Sequence, residues 1–267
     1  MKISNGSAEL ATEVVGEGPD VLLLHAGVAD RRAWRPLVER LAPGHRCVSF
    51  DARGHGQTTY QSEPFSRVGD ALAVFDSLRS RGAVVIGNSM GGRTALDLAL
   101  DHPERTTALV LIAPAISGAP QGEDSPEVQA IDEQMGAAEE AGDLDLLNRL
   151  EARFWLDGIN GGPEGRVGGQ PRELFLDMNR QALAAEPTGD EDRSTNAWER
   201  LEQLTVPTLV VVGDLDYDVS TAHALTAAQR IPGAQVLRLP DAAHLPVLEE
   251  NEACLRTVTE FVTGHRP

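Results

Sequence analysis

A chain of 267 residues, 41% of them hydrophobic, is long enough to bury the core of one sizeable α/β domain and to carry an insertion. Its 41 acidic against 23 basic residues give a formal charge of −18, which argues against nucleic acid and anionic membrane as partners, since both require basic patches. The start, MKISNGSAEL, has no apolar signal region, and no apolar run nears the roughly 18 residues of a bilayer span, so a soluble, cytoplasmic protein is expected. Cys47 and Cys254 fall in a predicted buried strand and a predicted helix and suggest neither a disulfide framework nor a metal pair. Nothing in the sequence specifies an oligomeric state.

In chain order, ISNGSAELATEVV predicts two strands joined at Asn5-Gly6, then a Gly-Pro-Asp turn leads into a buried strand over 21–24. A helix around RRAWRPLVERLA precedes the strand RCVSF, which ends in an aspartate and the glycine-rich loop of DARGHG. Residues 67–80 carry apolar positions at helical spacing and feed the strand AVVIG; a helix over 90–101 follows, then a turn and the buried strand of TTALVLIAPA. Such repeated βα alternation implies a mostly parallel sheet with helices on both faces. Beyond Ser117 the pattern changes to acidic, Ala/Glu/Leu-rich helical stretches with no strand signal, broken by GINGGPEGRVGGQP and EPTGDEDRST. Strand character resumes at TLVVVG, followed by a helix near 219–230, the strand AQVLRLP and a last helix from about 247 to 263. The expected organisation is a core of residues 1–116 and 201–267 interrupted by a helical cap, 117–200.

The seam VVIGNSMGGRTALDLAL holds Gly87-Asn88-Ser89-Met90-Gly91, a G-x-S-x-G spacing between a strand and a helix. Reversal within so few residues forces one of them into a strained backbone and demands small neighbours. Ser89 is expected at the apex, its hydroxyl exposed and a helix N-terminus behind it; the plainer reading is a tight turn with an N-cap serine. Loops at the carboxyl ends of parallel strands converge on one edge, so side chains far apart in sequence can meet there. Asp214, Asp216 and Asp218 follow TLVVVG, and His244 follows VLRLP. A serine hydroxyl becomes a good nucleophile when a neutral imidazole takes its proton and a carboxylate holds the other ring nitrogen. Of seven histidines His244 is the best placed for this; His25 and His55 read as loop-packing residues. The D-x-D-x-D spacing has Val219 and Leu225 where a calcium loop needs Gly and Glu, so no metal is expected, and Asp218 is free to cap the next helix. GNSMGG matches neither the dinucleotide nor the P-loop pattern, so no cofactor is expected. Oxyanion donors are expected from the backbone N–H groups of Met90 and, in HAGVAD, Gly27.

VLLLHAG with Trp34 downstream, FDARGHGQT, VIGNSMGG, VPTLVVVGDLDYDVS and DAAHLPVLEE occur in an order that makes the chain resemble the α/β-hydrolase superfamily over nearly its whole length. The resemblance implies the α/β-hydrolase fold and a Ser-His-Asp triad, and it implies Asp216 as the acid because the family's acid usually lies three residues after the glycine ending its strand. His25-Ala26 stands where the family more often has His-Gly. GNSMGG is similar to the elbow of meta-cleavage-product C–C hydrolases, but their Gly-Pro-Gly-rich loop is absent; AAHLPVLE resembles the histidine segment of enol-lactonases and small carboxylesterases. RFWLDG and RELFLDMNRQAL resemble the caps of lactonase-like bacterial members. Hydrolysis of a small to medium, largely apolar ester or lactone is therefore expected. C–C bond hydrolysis, cofactor-free perhydrolysis and slow-turnover ligand reception are the alternatives. Phe154, Trp155, Phe175 and Met178 are expected either to line an apolar pocket between core and cap or to form the cap's own core.

Overall fold

Along β3 (Asp20–Leu24), Val21 and Leu23 pack into one hydrophobic cluster and Leu22 and Leu24 into another, and all four are buried. Only a strand covered on both faces tolerates this pattern. The computed structural model, which describes residues 1–192 and 195–265, repeats it in β4 (Arg46–Phe50), β5 (Ala83–Asn88), β6 (Thr106–Ile112) and β7 (Thr208–Gly213). β1 (Lys2–Asn5) and β2 (Ala8–Val15) form the antiparallel hairpin at one edge, turning at Gly6 with φ +57°, and β8 (Gln235–Leu239) forms the other edge. Among the described residues eight strands make one sheet in the order β1-β2-β4-β3-β5-β6-β7-β8, antiparallel from β1 through the β2–β4 pair and parallel beyond it.

α1 (Arg35–Leu41) and α8 (Glu252–Gly264) cover one face; α2 (Arg67–Ser77), α3 (Met90–Asp101) and α7 (Asp218–Arg230) cover the other. The last helix begins at Glu252 rather than near 247, because Asn251 caps it by accepting the Cys254 N–H at 3.0 Å. Strand order reverses around β3, whose neighbours are β4 and β5, so the loops after β3 and β5 open side by side at the carboxyl edge.

Between β6 and β7 the chain is helical: α4 (Pro126–Glu140), α5 (Leu144–Glu151) running into a π-helical turn (Ala152–Gly158), and α6 (Gly169–Leu183). Its two ends meet at Ser117, whose hydroxyl accepts the Ala197 N–H and whose carbonyl accepts the Trp198 N–H, both at 2.9 Å. Ala197 and Leu201 pack in the cluster of α3 and α7, so the chain has rejoined the core by Ala197. No helix among the described residues is long and apolar enough to cross a membrane.

Candidate active site

Ser89 joins β5 to α3 with φ +53° and ψ −112°, a conformation that costs a non-glycine residue about 1–3 kcal/mol. The surroundings over-determine it: its N–H donates to Ile112 O at 2.9 Å, and its carbonyl accepts from Arg93 N at 2.9 Å and Ala115 N at 3.1 Å. The neighbouring glycines supply space. A Cβ on Gly91 would lie 1.9 Å from Leu24 O, and one on Gly87 would lie 2.2 Å from Gly91 O. Ser66, Ser125 and Asn251 cap their helices through their side chains, whereas Ser89 occupies the cap position of α3 and accepts no such bond. The plain capping reading of this serine therefore fails.

His244 reaches the same edge from the loop after β8. Its Nδ1 lies 2.7 Å from Asp216 Oδ2, and the two residues are 3% and 1% exposed. Asp216 also accepts the Tyr217 N–H on Oδ1 and the Ser220 hydroxyl on Oδ2, both at 2.9 Å. A carboxylate opposite Nδ1 keeps the proton there and leaves Nε2 as the basic lone pair. Nε2 is buried and makes no hydrogen bond to the described residues. Asn88, immediately before Ser89, donates through Nδ2 to His244 O and to Ile112 O, each at 3.0 Å, and so ties the elbow to the histidine loop. The other two aspartates diverge. Asp214 pairs with Arg238 at 2.9 Å; Asp218 is the first residue of α7 rather than its cap and accepts Asn160 Nδ2 at 2.7 Å.

In the loop after β3, Ala26 O accepts the Nδ1–H of His25 at 2.8 Å and the Ala29 N–H at 3.0 Å, while His25 Nε2 accepts the Ala52 N–H at 2.9 Å. The trans peptide between Ala26 and Gly27 turns the Gly27 N–H away from that pinned carbonyl and fixes its direction. Gly27 O faces His55 Nε2 at 2.8 Å. Burial depresses the pKa of both His25 and His55 to about 4. His25, donating from Nδ1 and accepting at Nε2, fastens the loop as a neutral ring, whereas both nitrogens of His55 face carbonyl oxygens, Arg53 O at 3.0 Å and Gly27 O at 2.8 Å. Gly27 adjoins Met90: a Cβ on Gly27 would be 3.8 Å from Met90 Sδ. The Met90 N–H belongs to the first turn of α3, where no intrahelical acceptor exists.

The cap residues divide. Phe175 and Met178, 0% and 1% exposed, pack with Ala26, Ala29 and Leu245, and Met178 Sδ accepts the Asp30 N–H at 3.4 Å. Phe154 is buried among Val128 and Ile131 of α4. Phe175 and Met178 thus join cap to core, whereas Phe154 packs on α4 within the cap, its ring centroid 5.4 Å from that of Tyr217. Trp155 is half-buried, and its ring centroid lies 4.5 Å from that of His244. Tyr217, which no sequence pattern flags, lies 5.8 Å from Trp155 and 6.4 Å from His244, and burial pushes its phenol up to about 12.

A family model described as the alpha/beta hydrolase family matches residues 21–257. A candidate 2-succinyl-6-hydroxy-2,4-cyclohexadiene-1-carboxylate synthase of Bacillus subtilis (strain 168) is 28% identical, covering 94% of this chain and 94% of its own. A rhodomycin D methylesterase of Streptomyces sp. (strain C5) is 29% identical over 94% of this chain and 93% of its own. Among solved structures, the enol-lactonase of Burkholderia xenovorans LB400 superposes with a TM-score of 0.75 at 26% identity, covering 96% of this chain and 97% of its own.

Proposed function

The chain belongs to the alpha/beta hydrolase family, and from that premise we propose that it hydrolyses a small to medium, largely apolar carboxylic ester or lactone through Ser89, His244 and Asp216. The observation that carries this reading is the buried Asp216–His244 pair, with Nε2 unengaged and the carbonyl of His244 bound by the residue before Ser89. Similarity to a methylesterase and an enol-lactonase supports the ester and lactone substrates. The helical segment expected over 117–200 acts as the cap, its last residues from Ala197 already packed in the core, and the reaction needs no cofactor and proceeds in the cytoplasm.

In the reaction, His244 Nε2 takes the Ser89 hydroxyl proton as Oγ adds to the substrate carbonyl carbon. The N–H groups of Met90 and Gly27 hold the resulting oxyanion, and Asp216 stabilises the imidazolium. Collapse breaks the C–O bond, and His244 returns its proton to the departing alkoxide, which stays attached to the acyl group when the substrate is a lactone. Water then repeats the sequence on the acyl-enzyme. Trp155 and Tyr217 form the aromatic wall beside His244 against which an apolar substrate rests.

Intact-mass detection of labelling by a generic fluorophosphonate tests the proposal. Rapid single labelling of wild type, abolished in Ser89→Ala and in His244→Ala, is expected, followed by turnover on an ester and lactone panel. Folded wild type that stays unlabelled while retaining ligand would move the protein to the receptor class. Products from a vinylogous diketone, or from an ester with hydrogen peroxide, would move it to C–C cleavage or perhydrolysis.

A further inference from the structure

The loop that carries His244 is gripped from the cap. Ala243 and Leu245, on either side of His244, donate their N–H groups to Glu249 Oε1 at 3.0 and 3.3 Å. The Glu249 side chain is 2% exposed, and Arg166 of the cap meets its Oε2 at 2.7 Å. The same guanidinium donates to Leu156 O and Asp157 O, each at 2.7 Å, and to Asp241 O at 2.8 Å. One cation thus joins the π-helical turn, the start of the histidine loop and the carboxylate that holds that loop's N–H groups. The π-helical turn and the residues after it also hold both partners of the buried pair. Trp155 O accepts the His244 N–H at 3.3 Å, and Asn160 Nδ2 donates to Asp216 O at 2.6 Å. Gly158, at φ +89°, passes so close that a Cβ would lie 2.5 Å from Leu215 O.

We propose that Arg166 and Glu249 are positioning residues, an ion-paired latch from cap to core that fixes the main chain on both sides of His244 and so aims its ring. The reaction they serve rests on the hydrolase reading above. The physical reason is that three consecutive N–H groups, those of Ala243, His244 and Leu245, turn inward on a loop with no strand partner. Buried N–H groups demand acceptors, and a carboxylate supplies charge-assisted ones. Burial pushes the Glu249 carboxyl above the usual carboxylate range, and the Arg166 charge pulls it back. Without Arg166 the carboxylate stands buried and uncompensated, and the loop loses its tie to the cap.

Glu249→Gln keeps the shape and one acceptor oxygen but must turn an amide NH2 toward either Arg166 or the loop N–H groups; Arg166→Ala removes the cation. The readouts are kcat and KM on p-nitrophenyl butyrate, melting temperature, and the low-field proton resonance of the His244–Asp216 hydrogen bond. Because a misplacement of about 1 Å can cost about 100-fold in rate, kcat is expected to fall about tenfold or more in each variant with KM within about twofold. Millimolar guanidinium ion should restore part of the loss in Arg166→Ala only, and the resonance should shift or broaden in both. Folded variants with wild-type kcat and an unshifted resonance overturn the latch. A loss of kcat that merely follows the folded fraction, with no guanidinium rescue, also overturns it. A wild type that turns over no ester sinks the hydrolase reading alone, because the resonance still reads the latch.

Discussion

Asn88 stands at an unspecified position of the G-x-S-x-G pattern, yet its amide holds two carbonyls from distant parts of the chain, Ile112 O and His244 O. Both are buried acceptors whose donor cannot be replaced by water without opening the elbow. Asn88→Ala is therefore expected to destabilise the protein by about 1–3 kcal/mol in urea titration. It should also lower kcat by about tenfold or more with little change in KM, because the histidine loop loses its tie beside Ser89. A variant with wild-type kcat would show that the tie is dispensable. Ser220 has the same hidden character: it lies in α7, four residues after Asp216, and its hydroxyl shares Oδ2 with His244. Neither residue was legible beforehand, since a motif scores residue types at fixed spacings, and these two act through bonds that only the folded chain creates. As candidates, Ser89 and His244 were legible because the G-x-S-x-G spacing marks the first and the strand-end positions of both follow from βα alternation. Asp216 was separated from Asp214 and Asp218 only by resemblance, and the physical separation is their partners: histidine for the first, Arg238 and Asn160 for the others.

At the scale of elements, the first turn of α3 and the loop after β3 show why two glycines of the site differ. Helix α3 leans so closely on β3 that Gly91 leaves no room for a methyl group against Leu24 O, whereas Gly27 faces ordinary van der Waals distance from Met90. Gly91→Ala is expected to cost about 3 kcal/mol or more, at the upper end of overpacking, or to prevent folding. Gly27→Ala should stay within about 1 kcal/mol of wild type and keep fluorophosphonate labelling, which denaturant titration with intact-mass analysis would check. Equal destabilisation of both variants would contradict the close approach of α3. Element existence was readable almost throughout, because strands buried on both faces announce themselves as apolar runs. The start of α8 was not, since LPVLEE carries helical composition while forming turns, with the helix delayed to the Asn251 cap. Nor was the role of the cap aromatics readable: helical spacing cannot distinguish Phe175, packed on the loop after β3, from Trp155, packed on His244.

Over the whole molecule, stability and acidity are coupled through the loops that frame the site. Burial lowers the pKa of His25 and of His55 to about 4 against an ordinary 6.5. Between those values the unfolded chain binds protons that the folded chain refuses, so this contribution is full above pH 6.5, declines on acidification and is gone below about pH 4. Opposing it, Asp51, Asp97, Glu151 and Glu249 are raised by burial and take up protons in the folded state as pH falls. Acidification also relieves part of the self-repulsion of a chain with formal charge −18. A wild-type melting curve alone therefore sums competing slopes, and the histidine share has to be isolated by difference. His25→Asn should be less stable than wild type at pH 7.5, with the gap narrowing by up to roughly 3 kcal/mol as pH falls toward 4, because the variant has no imidazole for the unfolded state to protonate. Urea titrations of both proteins across that range measure the gap directly. A gap that stays constant with pH would mean that His25 protonates alike in both states, so that the fastener at the Ala26–Gly27 peptide would have to work with a charged ring below the ordinary pKa of 6.5.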